Sequence, residues 1–286
     1  MDSKAVERPV RGVRLAVVDS GLGGLTVLAA LRRRLPAVAM TYLADSAAFP
    51  YGGLSPQAVQ ERVLAVVGAL VAREKPDVVV IACNTATTAG LGLLRAAFPQ
   101  IEFIGTVPAV ERAAQATRSG VIGLLATPAT VNRPMIDHLS HRFARQCVLV
   151  RVGSEKLAAL AEGKLRGAPP STEEVRNQIA PLFDHDALDV VILGCTHYPL
   201  LLKELKAAAP RPVLWMDAAE AVAAQAVTTI GRVIGDSPWQ AGADNTLVTV
   251  PMPGDDAAFA HAGLPSPEVL VLGAPRSTGA APCVLS

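Results

Sequence analysis

Two cysteines lie in matching surroundings at two distant places in the chain. Residues 77–85 and 189–197 each begin with an aspartate, continue through four aliphatic residues and one small residue, and end with a cysteine and two polar residues. The cysteines are Cys83 and Cys195, two of only four in the sequence. A thiol has a reference pKa of about 8.5, which a helix N-terminus or a nearby cation lowers, so a cysteine can exchange protons near neutral pH. The repeat therefore indicates a matched pair of acid–base groups.

The residues beside the two cysteines differ. Cys83 precedes a helical pattern over residues 85–98, whose first N–H groups would stabilise a thiolate. His197 follows Cys195 closely enough to influence the protonation of that thiol. Three other interpretations stay open: buried structural thiols, a zinc site formed with His197, and a redox disulfide. The zinc site lacks a fourth ligand, and neither it nor the disulfide has the short C-x-x-C spacing.

Each cysteine follows a short apolar run, which is typical of a parallel strand covered by helices on both faces. These runs are residues 78–81 and 190–193, and the runs at 14–18 and 121–125 open two similar halves. Further strand candidates lie at residues 148–152, 213–215, 246–250 and 269–272. Helical patterns separate most of the runs, so the sequence predicts an α/β fold of two similar domains with mostly parallel sheets flanked by helices. Ligands of such sheets bind at the carboxyl ends of strands, which predicts an active site in the interdomain cleft.

The pattern also predicts where the domains divide. Residues 12–106 plus 217–272 are expected to form the first α/β domain, and residues 107–216 the second. A helix from residue 218 to about 234 and two late strands would return the chain to the first domain. Residues 273–286 are rich in Gly, Ala, Pro and Ser and are predicted to be a disordered tail.

Composition excludes several classes of function. The 286 residues are 51% hydrophobic and 18% charged, which is enough apolar material for a large buried core. A net charge of +1 gives no electrostatic pattern for nucleic acid or for an anionic membrane surface. Four cysteines are too few for a disulfide scaffold, and neither a secretory signal nor a transmembrane segment is apparent, so a cytoplasmic location is expected.

Glycines 21, 23 and 24 follow the first predicted strand and invite comparison with a dinucleotide site. A G-x-G-x-x-G motif would need glycine where Thr26 stands, and no convincing acidic residue closes the next strand, Asp45 being the nearest. No G-x-x-x-x-G-K-[ST] segment occurs either. Nucleotide cofactors are therefore disfavoured.

Four segments, taken in order, resemble the glutamate racemases of the aspartate/glutamate racemase superfamily. They are Asp-Ser-Gly-Leu-Gly-Gly at 19–24, Pro-Tyr-Gly at 50–52, Ala-Cys-Asn-Thr-Ala at 82–86 and Gly-Cys-Thr-His-Tyr-Pro at 194–199. The resemblance runs from about residue 14 to residue 272. It implies inversion of glutamate at Cα without a cofactor or metal, which supplies D-glutamate to peptidoglycan synthesis. The expected partner is L- or D-glutamate, and a homodimer is one possible assembly.

The resemblance also implies roles for single residues. Cys83 would take the proton from D-glutamate and Cys195 from L-glutamate. Asp19 would assist Cys83 or hold the substrate ammonium, although capping of the glycine turn is an alternative. His197 would be the partner of Cys195. Glu155 would be the assisting acid of the second half; it ends a stretch that resembles C-P-x-x-V-P-x-x-E but lacks both prolines.

The predicted substrate-binding residues carry hydroxyls, amides or accessible backbone N–H groups, which suit two carboxylates without a lysine or arginine. They are Asp19, Ser20, Tyr51, Gly52, Asn84, Thr85, Thr127, Thr130, Thr196 and His197. Cys147 and Cys283 are expected to be structural or exposed. An aspartate or hydantoin racemase, and a catalytically silent relative that binds glutamate or a protein, are the alternative functions.

Overall fold

A computed structural model describes residues 13–234 and 242–272 of the chain. Within these residues, ten strands form two sheets in which every pair of neighbouring strands is parallel. The strands are β1 (Leu15–Asp19), β2 (Met40–Ala44), β3 (Val78–Ile81), β4 (Glu102–Gly105), β5 (Val121–Ala126), β6 (Val148–Gly153), β7 (Val190–Leu193), β8 (Leu214–Met216), β9 (Asn245–Val248) and β10 (Glu268–Val269).

Helices connect the strands and cover both faces of each sheet. They are α1 (Leu25–Arg34), α2 (Pro56–Glu74), α3 (Asn84–Ala97), α4 (Val110–Ala116), α5 (Pro128–Val131), α6 (Pro134–Phe143), α7 (Leu157–Leu165), α8 (Thr172–Ile179), α9 (Leu202–Ala208), α10 (Ala219–Ile234) and α11 (Asp255–His261). Of the described helices, none is both long and apolar enough to cross a bilayer.

The two sheets share one topology at their centres. The first sheet has the order β10-β9-β2-β1-β3-β4, and the second has the order β6-β5-β7-β8. In each sheet, the first strand of that half, β1 or β5, pairs on one side with the next strand along the chain, β2 or β6. On its other side it pairs with the strand after that, β3 or β7. This arrangement creates a switch point, between β1 and β3 in one sheet and between β5 and β7 in the other, where ligands of open α/β sheets bind. The internal repeat seen in the sequence is therefore also a repeat of topology.

Strand β3 illustrates why both faces of the sheets are apolar. Val78 and Val80 belong to a core cluster that includes α1 and α10, whereas Val79 and Ile81 belong to a cluster that includes α2 and α3. All four side chains are completely buried. Since successive strand residues point to opposite faces, a strand buried between two helical layers has no polar position, and its sequence is a continuous aliphatic run.

The fold class predicted from the sequence is confirmed, with differences at individual elements. Strands β2 and β4 were not among the predicted strands, because each is short and contains a polar or small residue that interrupts its apolar run. Strand β10 is limited to Glu268–Val269 rather than residues 269–272. The late strands β9 and β10 pair in the first sheet, and the late helix α10 packs against α1. The exact domain boundaries stay predictions, and residues 273–286 lie outside the described residues.

Candidate active site

A narrow cavity lies where the carboxyl ends of the two sheets meet. Both Cys83 and Cys195 line it, each two residues beyond the end of a strand at a switch point, β3 in one sheet and β7 in the other. The two side chains are 6% and 8% exposed. Most of the predicted substrate-binding residues line the same cavity: Ser20, Tyr51, Gly52, Asn84, Thr85, Thr127, Thr196 and His197. The sequence repeat thus brings one thiol from each half to a shared cleft.

Cys83 occupies the N-cap of α3, as its position before a helical pattern predicted. The backbone N–H of Ala86 donates to Cys83 Sγ at 3.5 Å, and the Ser20 side chain also hydrogen-bonds the sulfur. Burial and the nearby charge of Asp19 together raise the pKa of the Cys83 thiol to about 12, although the hydrogen bond from the helix-capping Ala86 N–H acts in the opposite direction. In the closed cleft Cys83 is therefore a thiol at neutral pH, ready to donate a proton.

Asp19 ends strand β1 and is almost completely buried. Its Oδ1 accepts a hydrogen bond from Thr196 Oγ1 of the other half at 3.1 Å, and its Oδ2 accepts one from the Gly21 N–H at 3.2 Å. Burial raises the pKa of the carboxyl, while the charge of His197 opposes that shift. Asp19 therefore both caps the glycine turn and places an acid–base group beside the cleft. It does not line the cavity itself but contacts Thr196, which does.

His197 is buried between Cys195 and an acid that the sequence analysis did not select. Its Nδ1 lies 3.8 Å from Cys195 Sγ, and its Nε2 lies 3.1 Å from Glu162 Oε1. Burial alone would lower the pKa of the imidazole, but its hydrogen bonds with Cys195 and Glu162 and the charges of Cys195 and Asp19 raise the pKa to about 10. At neutral pH the ring is then an imidazolium that pairs with Glu162 at Nε2 and faces Cys195 Sγ at Nδ1. The Gly23 N–H of the first half also lies 3.1 Å from Nε2.

Glu162 lies on α7 and is 5% exposed. Besides pairing with His197, its Oε1 accepts from the Leu22 N–H of the first half at 2.8 Å, and its Oε2 pairs with Arg166. Burial would raise the pKa of the carboxyl, but the hydrogen bonds to His197 and Arg166 and the charge of His197 lower the pKa to about 2. Glu162 is therefore a carboxylate over the whole physiological pH range.

Glu155, the acid predicted for this role, does not line the cleft. Its side chain is exposed and borders a neighbouring cavity of about 400 Å³ together with Ser154. The prediction of Glu155 rested on its nine-residue spacing from Cys147, which is half-buried. The acid that pairs with His197 in the structure, Glu162, lies seven residues further along the chain, and its contact joins residues 35 apart, which no local spacing predicts.

Three threonine hydroxyls form a cluster across the cleft. Thr85 Oγ1 lies 3.2 Å from Thr127 Oγ1 and 3.3 Å from Thr130 Oγ1, and the last two are 3.1 Å apart. Thr85 belongs to α3 of the first half, whereas Thr127 and Thr130 belong to the loop and helix after β5. These hydroxyls can turn to donate to a carboxylate held between the halves. Asn84 Oδ1, buried beside them, has no hydrogen-bond partner among the described residues and can accept from an ammonium group.

Tyr51 lines the cavity with its ring rather than with a free hydroxyl. Its Oη donates to Asp45 Oδ2 at 2.6 Å, and Arg62 Nε donates to the same oxygen at 2.7 Å. Burial and the Asp45 charge raise the pKa of the phenol above its ordinary value, so the hydroxyl stays protonated. The next residue, Gly52, approaches the other half so closely that a Cβ there would lie 2.7 Å from Thr127 Cβ.

No group of three or more His, Cys, Asp or Glu side chains within the described residues is arranged to hold a metal ion. The described cysteines, Cys83, Cys147 and Cys195, are all free thiols, and Cys283 lies outside the described residues.

The chain is similar to known racemases over most of its length. The family described as Asp/Glu/Hydantoin racemase matches residues 23–226. The glutamate racemase of Sinorhizobium medicae is 44% identical over 238 residues, covering 82% of this chain and 88% of that protein. The glutamate racemase of Agrobacterium fabrum is 47% identical over 213 residues, covering 73% and 78%. The crystal structure of Escherichia coli glutamate racemase with L-glutamate and the activator UDP-MurNAc-ala has a TM-score of 0.85 and 34% identity, covering 92% of this chain and 100% of that one.

The chain belongs to the Asp/Glu/hydantoin racemase family, and its relatives over most of its length are isomerases. Within that family it is an enzyme of the glutamate racemase group, which confirms the resemblance seen in the sequence motifs.

Proposed function

We propose that this enzyme interconverts L- and D-glutamate by a two-base mechanism in which Cys83 and Cys195 act on opposite faces of Cα. The observation that carries the proposal is that the two thiols, held at equivalent positions of two equivalent sheets, line one cavity. Inversion at a tetrahedral carbon needs a proton acceptor on one face and a proton donor on the other. A pseudo-symmetric pair of thiols supplies both.

In the direction from L- to D-glutamate, the Cys195 thiolate takes the α-proton and the Cα–H electron pair stays on the substrate as a carbanion. The Cys83 thiol then gives its proton to the opposite face, which leaves Cys195 as a thiol and Cys83 as a thiolate. The reverse reaction exchanges the two roles. The high pKa of Cys83 and the imidazolium of His197 beside Cys195 suit this starting state, since a cation 3.8 Å from the sulfur balances the charge of a thiolate there.

The α-proton of glutamate is a very weak acid, so the rest of the site must lower the barrier to its removal. Glu162, in place of Glu155, holds His197 in its charged form, and Asp19 serves as the corresponding acid on the Cys83 side. The threonine cluster and the neighbouring backbone N–H groups bind the substrate carboxylates, and Asn84 Oδ1 accepts from the ammonium.

The biological setting follows from the same chemistry. A mechanism that depends on free thiols suits the reducing cytoplasm, where a disulfide between cysteines is disfavoured. D-glutamate made there would serve peptidoglycan synthesis, as the family resemblance implies. A homodimer stays a prediction, to be checked by light scattering.

The test is an assay of purified protein with L-glutamate, D-glutamate and L-aspartate, in buffer containing EDTA and no added cofactor. Optical rotation reports inversion, and uptake of deuterium at Cα from D₂O reports proton exchange. We expect both signals with either glutamate enantiomer and at most a trace with aspartate. Activity with aspartate alone would indicate an aspartate racemase, and exchange with no amino acid would indicate a binding protein.

A further inference from the structure

We infer that Arg166 is a positioning residue. It connects the Glu162–His197 pair of the second half to Asp255, which packs on the first sheet, and so holds that pair in place only when the cleft is closed. This inference rests on the function proposed above, because it assigns Arg166 to the support of His197 and, through His197, of Cys195.

Arg166 follows α7 and joins two buried carboxylates. Its Nη1 donates to Glu162 Oε2, and its Nη2 donates to Asp255 Oδ1 at 2.9 Å. The Arg166 side chain is 16% exposed, and those of Glu162 and Asp255 are 6% and 3% exposed. Removing one partner of a charge pair this well buried strongly destabilises the folded protein, because the other charge stays in a poorly solvated site.

Asp255 belongs to a segment that packs on the first sheet. It is the first residue of α11, and its Oδ2 accepts from the Met252 N–H at 2.8 Å. From the same helix, Phe259 packs on Tyr42 of β2, with ring centroids 5.9 Å apart. Tyr42 in turn donates to the Gly21 carbonyl at 2.7 Å, in the turn that follows β1.

The chain also approaches Arg166 closely at Gly254. This residue has a positive φ of 89°, and a Cβ there would lie 3.2 Å from Arg166 Cβ. Glycine is suited to both the backbone conformation and the close contact. Arg166 therefore packs directly against the start of α11, and no solvent separates the two.

Opening of the cleft would separate Arg166 from Asp255 and Glu162 from the Leu22 N–H, since both contacts join the two halves. Glu162 would then lose the Leu22 N–H, and Arg166, which holds its other oxygen, would lose its anchor at Asp255, so His197 would no longer have a firmly held acceptor. Closure of the halves and correct orientation of the imidazolium are therefore the same structural event. Such coupling delays proton transfer until the substrate is enclosed.

The test compares Arg166→Ala with the wild-type enzyme and with Arg32→Gln. Arg32 also pairs with an aspartate, Asp244, but neither residue lines the cleft, so this control measures the cost of losing an arginine–aspartate pair elsewhere. We expect Arg166→Ala to lower kcat by about 10- to 100-fold with KM changed less than about threefold, because orientation rather than substrate contact is lost. Millimolar guanidinium, well below denaturing concentrations, should restore part of kcat. Arg32→Gln should leave kcat within about twofold.

The pH profile separates positioning from a general structural role. The titratable groups that face the Glu162–His197 pair are Arg166, Asp19, Cys195 and Tyr42, with Asp255 behind Arg166. Removing Arg166 takes away a hydrogen bond that lowers the pKa of Glu162, so the acid limb of kcat should move to higher pH. A purely structural loss would lower kcat equally at all pH values and lower the melting temperature.

Arg166→Lys gives the same test should Arg166→Ala fail to fold, since lysine keeps the charge but cannot bridge two carboxylates with a planar fork. An active wild-type enzyme together with an Arg166 variant of unchanged kcat and pH profile would overturn this inference and leave the proposed function standing. A wild-type protein with no racemase activity would overturn the proposed function instead. The expected result is an active wild type, a kcat defect in both Arg166 variants, and rescue of Arg166→Ala by guanidinium.

Discussion

The two walls of the cleft carry the same group, a cysteine thiol, in opposite electrostatic surroundings. On the first wall, Cys83 has an anionic neighbour, Asp19, and only neutral hydrogen-bond donors. On the second wall, Cys195 has a cationic neighbour, His197, which is held by Glu162 and Arg166. Equivalent strands place the two thiols, whereas the residues beside them differ in charge.

This difference explains how a symmetric pair of thiols can begin each turnover in one defined state. Two thiolates in one cavity would repel each other, and two thiols would leave no base. The proposed mechanism starts from a donor at Cys83, beside an acid, and an acceptor at Cys195, beside an imidazolium. On that proposal, the asymmetry that each cycle must reverse is set by the neighbouring residues.

The contrast between the two walls predicts that neither thiol can racemise glutamate without the other. Cys83→Ser and Cys195→Ser should each lower kcat for racemisation by about 10²–10⁴-fold, because each removes a group that transfers a proton in the transition state. Optical rotation measures the loss. Cys147→Ser is the matched control and should stay within about threefold, since Cys147 does not line the cleft. Equal damage from Cys147→Ser would mean that the wrong cysteines have been paired.

The second wall can be tested through its acid. Glu162→Gln should lower kcat by roughly 10- to 100-fold, because it removes the charged partner of His197 while keeping the side-chain shape. Glu155→Gln, which changes an exposed acid on the same segment, should leave kcat within about twofold. Steady-state kinetics with D-glutamate checks both variants, and a larger loss from Glu155→Gln would restore the original assignment.

The contact between the walls can be tested at two adjacent glycines. A Cβ at residue 52 would meet Thr127 at 2.7 Å, whereas a Cβ at residue 53 would have nothing within 4 Å. Gly52→Ala should therefore hold the walls apart and lower kcat/KM by about tenfold, as overpacking typically costs 1–3 kcal/mol. Gly53→Ala should leave kcat/KM unchanged. Equal kinetics for the two variants would show that closure at this point is not needed for catalysis.

The smallest expected effect is on stability and its pH dependence. The pKa of Glu162 is lowered from 4.5 to about 2, so its pairing stabilises the fold above pH 4.5 and is lost as pH falls towards 2. The pKa of His197 is raised from 6.5 to about 10, so its contribution is complete below pH 6.5 and is lost as pH rises through 10. Glu162→Gln should therefore lower the melting temperature most between pH 4.5 and 6.5, by about 2–4 °C for each kcal/mol lost. A constant difference from pH 3 to pH 10 would contradict the ion pair.

The sequence predicts the parts of the site that depend on local pattern. The aliphatic runs before Cys83 and Cys195, and the helical pattern after Cys83, were sufficient to place both thiols at strand ends. The start of α2 depends on equally local residues, since the Ala58 N–H donates to Oγ of the N-cap Ser55 at 3.2 Å and Pro56 takes the first helical position. Such features depend on residues that are neighbours in the chain.

Contacts between distant segments were not predictable in this way. Glu162 lies 35 residues before His197, and Arg166 lies 89 residues before Asp255. No spacing rule links such pairs, because their meeting depends on how the two sheets pack. Glu155 was predicted for the same reason. Its local stretch resembles the family motif, but the fold places its exposed side chain outside the cleft.

The assignment of each thiol to one enantiomer is the central claim, and racemisation rates cannot test it. The equilibrium constant of a racemisation is one, so kcat/KM is the same in both directions for any variant. A 3-chloroglutamate avoids this limit, because the electron pair left at Cα by proton removal expels chloride. The resulting enamine hydrolyses to 2-oxoglutarate and ammonia, so the reaction needs only one base.

The decisive measurement is therefore the rate of chloride release from the D- and L-enantiomers of 3-chloroglutamate by the two cysteine variants. We expect Cys83→Ser to act on the L-enantiomer and lose activity on the D-enantiomer, and Cys195→Ser to show the opposite preference. Equal loss on both enantiomers in both variants, or the same preference in both, would contradict two thiols acting from opposite faces.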